Sequence, residues 1–164
     1  MQAAKHVLRY IKGTLDYGLY FGPSEIHLSG FCDSSHAADP DDRKSHAGHI
    51  FYLGPDGSGI VWGSGKESVV AISMEFEYME YSEAAKEAIF LHKLTASIGL
   101  KLSLPTPIYT DSESALKHVK NNVKHARTKH IDTHFHYVHE IYTSGQIDLQ
   151  YVPSSEQAAD ILPT

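Results

Sequence analysis

The hydrophobic rhythm of this chain changes once, near Ser73, and that change limits the folds open to it. Ahead of it lie three short apolar runs, at residues 26–33, 49–53 and 59–62. Gly30 weakens the first of these as a strand. Pro55-Asp56-Gly57 joins the last two with a hairpin signal, so consecutive antiparallel strands are predicted. Behind the change, residues 74–98 run without glycine or proline, with Ser73 placed to cap the start and Gly99 to close the end of a long helix. The apolar run at 108–111 follows Pro105 and Pro107 and is reached only through that helix. A strand reached by a helical crossover pairs in parallel with an earlier one. Helices over 112–120 and 131–143, an alternating strand over 147–152 and a helical run starting at Glu156 follow. A short helix over residues 1–12, stopped by Gly13, precedes the first strand. The expected class is α/β: a mixed five-stranded sheet, three antiparallel strands and then parallel ones, with flanking helices.

A length of 164 residues suits one domain with a substantial core. No apolar run approaches the ~18 residues of a membrane span, so no membrane partner is expected. The single cysteine, Cys32, excludes an internal disulfide, and its place in a predicted strand marks it as a core thiol. Net charge is −6, which argues against duplex binding by the whole surface. Yet between Glu113 and Asp132 the chain carries Lys117, Lys120, Lys124, Arg127 and Lys129 and no acid. That strip reads either as a solvated helix face or as a surface for a phosphate backbone.

Four acids stand at predicted element junctions: Asp33, Glu77, Asp111 and Asp160. Asp33 and Asp111 end strands that would lie parallel and deliver both side chains to one sheet edge. Glu77 shares the sheet-facing helical stripe of Tyr81, Ala84, Ala88, Leu91, Thr95 and Ile98. Glu75, Glu80, Glu83 and Glu87 fall largely off that stripe and read as solvated. Converging carboxylates repel one another, but they make sense around divalent cations. Two Mg2+ ions, or Mn2+, held roughly 3.5–4 Å apart would suit phosphodiester hydrolysis without a protein nucleophile. Acids also populate element ends for local reasons, and Asp39, Asp41 and Asp42 read as turn formers. Spacing alone leaves both readings open.

Longer stretches narrow the choice. AAKHVLRYIKGTLDYGLYF is followed by FCDSSHAADPDDRKSHAGHIFYLG and VVAISMEFEYMEYSEAAKEAIFLHKL. PIYTDSESAL, ARTKHIDTHFHYVHE and GQIDLQYVPSSEQAADIL complete the series. In this order they strongly resemble the ribonuclease H domain of copia-type LTR retrotransposon Pol polyproteins. The resemblance implies a ribonuclease H-like fold and endonucleolytic cleavage of the RNA strand of RNA–DNA hybrids, leaving 3′-hydroxyl and 5′-phosphate ends. It implies Mg2+ ligation by Asp33, by Glu77 of FEY, by Asp111 of YTDSES and by Asp160 of QAADIL. Beside these acids, the basic strip offers Lys117, Lys120, Arg127 and Lys129 as the expected backbone contacts. Residues 1–22 resemble the tail of the reverse transcriptase connection, and 23–164 the ribonuclease H-like domain. The implied partners are an RNA–DNA hybrid and the reverse transcriptase domain of the same polyprotein. The fragment is expected to be monomeric and intracellular, in cytoplasm or nucleus.

The chain departs from the family in places. Asp33-Ser-Ser-His36 stands where the family carries DADW, and the segment before Glu77 is one residue shorter. These departures keep a second reading alive: a catalytically silent remnant that binds nucleic acid. A third, a zinc hydrolase, would need His130 and His134, spaced i,i+4, to face a cleft containing an acid.

Overall fold

A computed structural model describes residues 2–21, 26–35, 45–54, 58–66, 73–121 and 129–162. The turns read at 38–43 and at Pro55-Asp56-Gly57 lie outside the described residues. The element order is α1 (Gln2–Gly13), β1 (Leu28–Ser35), β2 (His46–Leu53), β3 (Ser58–Lys66), α2 (Ser73–Ser97), β4 (Thr106–Thr110), α3 (Glu113–Asn121), α4 (Lys129–Thr143) and β5 (Ile147–Tyr151). The strands form one sheet in the order β3-β2-β1-β4-β5. β1, β2 and β3 pair antiparallel, while β4 joins β1 in parallel and β5 joins β4 in parallel. The predicted mixed sheet is thus observed, with the long helix α2 making the crossover.

Alternation decides which side chains fill the core. Leu28 and Cys32 of β1, Ile108 of β4, and Ile147 and Leu149 of β5 are buried. α2 lays Tyr81, Ala84, Ala88 and Leu91 against them. Fully burying a side chain such as Ile108 or Leu149 stabilises the fold by about 2 kcal/mol. Gly30 weakened the strand reading for want of a side chain, and the structure shows the reason for it. A Cβ there would meet the Phe51 ring at 2.5 Å, so glycine lets Phe51 of β2 lie across β1.

Several boundaries differ from expectation. β1 runs two residues past Asp33, because Ser34 and Ser35 continue the ladder opposite Ala47 and His46. Asp33 therefore sits inside a strand. Ile98 lies beyond the end of α2 and is 68% exposed. The helix expected from Glu156 is absent among the described residues. A 3-10 turn at Ser154–Glu156 is followed by separate turns closed by Asp160 N–H to the Gln157 carbonyl and Leu162 N–H to the Ala159 carbonyl. Gln157 interrupts the winding, since its amide donates to the Cys32 carbonyl at 2.9 Å and its oxygen accepts from Ala159 N–H.

The stripe reading of α2 was too narrow. One flank of the helix meets the sheet, and another meets α4 through Tyr78 and Phe135, whose rings stack edge-on at 5.4 Å. At 100° per residue, the buried positions from Tyr78 to Thr95 cover an arc of roughly 200°. Glu80 marks the edge of that arc opposite Tyr78, on the sheet side, and is 3% exposed, whereas Glu83 is exposed as expected.

Candidate active site

Parallel pairing brings the first two acids together. Phe31 of β1 lies level with Tyr109 of β4, and two residues further on come Asp33, still within β1, and Asp111, just past the end of β4. Their carboxyls are close enough to interact. Burial, then Asp111, then Asp160 push the Asp33 carboxyl up to about 6 from an ordinary 3.8, against a stabilising backbone hydrogen bond at Ser34.

Glu77 projects from the first turns of α2 towards the end of β4. The Ser112 hydroxyl donates to its Oε2 at 2.6 Å. Burial raises this carboxyl first, the Ser112 bond opposes that, and Asp111 raises it further. The shorter segment ahead of the helix has not turned Glu77 away from the cluster. Asp111 in turn accepts from the Ser154 hydroxyl at 2.7 Å. Val152 N–H donates to the Thr110 carbonyl at 2.9 Å, and with the Gln157 contact this ties the C-terminal segment to the strand ends. Asp160 is exposed, in a turn and not at a helix start, yet near enough to act on Asp33. Electrostatically the four acids form one chain, Glu77 to Asp111 to Asp33 to Asp160.

An open cavity of about 660 Å³ adjoins this chain, lined by Glu77, Asp111, Ser112, Lys117 and His118 among others. Lys117 reaches its rim, ion-paired with Glu113 at 2.7 Å. Lys120 lies instead over the Tyr142 ring, 5.9 Å from its centre. Arg127 falls outside the described residues, and for Lys129 only its place in α4 is described. The expected basic strip is therefore represented at the cavity by Lys117.

The donor set is all carboxylate oxygen, which suits a hard divalent cation such as Mg2+ or Mn2+. Among the described residues, however, no three His, Cys, Asp or Glu side chains converge as one ion-holding group. Ser112 and Ser154 engage Glu77 and Asp111 separately. The zinc alternative finds no such group either. His139 donates Nδ1–H to the Val119 carbonyl at 3.0 Å and stacks on Phe135, a packing role. The side chain of His130 lies outside the described residues.

Sequence reasoning missed Glu80, Ser112, Ser154 and Gln157. Ser112 directly follows a candidate acid, a position that would have drawn notice. Nothing local singles out Ser154 or Gln157, whose roles depend on a segment folding back across the sheet.

No protein-family model matches the chain. It is 37% identical over 162 residues to the retrovirus-related Pol polyprotein from transposon TNT 1-94 of Nicotiana tabacum, covering 98% of this chain and 12% of that protein. The corresponding protein from transposon RE2 of Arabidopsis thaliana is 35% identical over 162 residues, again 98% of this chain and 11% of its own length. The chain thus spans a small part of the relatives it matches. Among solved structures, LC11-RNase H1 in complex with RNA/DNA hybrid superposes with a TM-score of 0.61 at 14% identity, over 83% of this chain and 93% of that one. That likeness shows the fold. Sequence and fold agree: the chain is a ribonuclease H-like domain in its fold, similar over nearly its whole length to a stretch of retrotransposon Pol polyproteins.

Proposed function

We propose that this domain hydrolyses the RNA strand of RNA–DNA hybrids endonucleolytically, inside the cell, as part of retrotransposon reverse transcription. Asp33, Glu77, Asp111 and Asp160 are the proposed Mg2+ ligands. The observation that carries the reading is that Glu77 of α2 and Asp111 at the end of β4 line one open cavity, with Asp33 of β1 beside Asp111 across the parallel strand pair and Asp160 of the C-terminal turns near Asp33. Divalent ions held by these acids would supply an activated water and stabilisation of the leaving 3′ oxygen.

The chain's own residues have distinct tasks. Asp33, held in the interior of a paired strand, gives the centre a rigid carboxylate. Ser112 and Ser154 orient Glu77 and Asp111 by hydrogen bonds. Lys117 and His118 at the cavity wall face the phosphate backbone of the hybrid, and Lys117 contributes positive charge there. The solved neighbour carries an RNA/DNA hybrid, which supports the substrate class. α1 buries none of its residues, and Val7, Leu8 and Ile11 are exposed. Its apolar face fits the proposed attachment of residues 1–22 to the reverse transcriptase region of the same polyprotein.

A second reading, a silent nucleic-acid-binding module, is favoured by one observation: no three acids converge as an ion-holding group among the described residues. The experiment that separates them incubates the purified chain with a labelled RNA–DNA hybrid and Mg2+, with Asp111→Asn as control. Cleavage by the parent and not by the variant supports the enzyme. A folded parent that binds the hybrid without cutting it establishes the silent module.

A further inference from the structure

Beside Asp33 lies a carboxyl that the four-acid site does not use. Glu80 stands on α2 one turn after Glu77 and is 3% exposed. Its Oε1 finds no hydrogen-bond partner among the described residues. Ser34, the residue after Asp33, is hydrogen-bonded to its carboxyl group. Asp33 acts on it most strongly of the neighbouring charges, followed by Glu77 and Asp111, and all three disfavour a second negative charge.

Such a position is costly. An unpaired buried carboxylate forgoes its hydration, and neighbouring carboxylates add repulsion. Two things relieve it, a proton or a cation. A protonated carboxyl satisfies one oxygen by donating and still leaves the other to find a donor. A cation shared with Asp33 satisfies the orphaned oxygen and removes the repulsion together. Helix geometry suits the second solution. Positions three apart lie about 60° from each other around the axis and roughly 4.5 Å along it. α2 thereby directs Glu77 to Ser112 at the β4 end and Glu80 to Ser34 at the β1 end.

We propose that Glu80 is a fifth carboxylate of the cation site, sharing a hard divalent ion with Asp33 while Glu77 serves the Asp111 half. The inference rests on the cation-site reading of the preceding section. It assigns two ligands to α2 in place of one, and it gives a purpose to an acid that packing alone would replace with an apolar residue.

The test needs no catalysis. Thermal melts of the 164-residue chain are followed through a Mn2+ titration, starting in EDTA, for the parent, Glu80→Gln and Asp111→Asn. Mn2+ is expected to raise the parent's melting temperature, and Glu80→Gln to shift the midpoint of that rise at least about tenfold upward. An unchanged midpoint, with Glu80→Gln melting higher in EDTA, would show a buried acid held by a proton and overturn the proposal. A parent that responds no more than Asp111→Asn overturns the four-acid site itself, a distinguishable failure. Should Glu80→Gln not fold cooperatively, Glu80→Met is read against the same midpoints.

Discussion

Replacing Asp33 by Asn should stabilise the cation-free domain, and by an amount that depends on pH. Burial and the carboxylates of Asp111 and Asp160 hold the Asp33 carboxyl at about 6 in the fold against 3.8 when unperturbed. A carboxyl with a raised folded-state pKa favours folding while protonated. That advantage is fully present below 3.8 and is lost as pH rises through about 6. The full shift converts to ~3 kcal/mol. Asp33 is only half-buried, so solvent screening brings the expected penalty to about 1.5 kcal/mol. Asparagine mimics the neutral acid and escapes it. For a domain of this size the gain corresponds to roughly 3–6 °C in melting temperature. Urea unfolding in EDTA, for parent and variant, measures it directly. The gain should be near its full value at about pH 7.5 and shrink to a few tenths of a kcal/mol at about pH 4. Equal stability at both pH values, or a destabilised variant at the higher one, would refute the claim that the acids repel across the strand ends.

Further tests address the scaffold. Gly30→Ala should destabilise the domain by about 1–3 kcal/mol in urea unfolding, because its Cβ would enter the Phe51 ring at 2.5 Å. A neutral result would mean that Phe51 moves aside freely. Tyr81→Phe removes a buried hydrogen bond to the Thr110 hydroxyl at 2.9 Å and should cost about 1 kcal/mol, read from the same curves. Deleting residues 2–13 should leave the melting temperature within about 2 °C, since α1 buries nothing in this fold. A larger drop in calorimetry would show that α1 supports the domain.

Periodicity carried most of the architecture. Strands of five to nine residues and a helix of 25 residues differ enough in pattern to be told apart, and a strand after a long helix has few options but parallel pairing. Edges were harder. β2 and β3 extend past their apolar runs because hydrogen bonding to a neighbour continues through His46, Ala47, Ser64 and Gly65, whose side chains signal little. The C-terminal helix failed for the opposite reason: a helical local pattern lost to the pull of Gln157 on the Cys32 carbonyl, 125 positions away.

The same division runs through the site. Sequence alone singled out Asp33, Glu77, Asp111 and Asp160, because acids at element ends and the family-like motifs around them are local signals. Only the tertiary structure decided how they are placed relative to one another. Parallel register brings Asp33 beside Asp111, the serines divide the acids between them, and the extension of β1 through Ser34 meets Glu80 on α2. A helix period reports that one face is buried; it carries no information about how far a neighbouring strand runs beneath that face. Glu80 reads as solvated from its spacing, and its burial follows from β1 continuing past Asp33, which sets Ser34 against the Glu80 carboxyl.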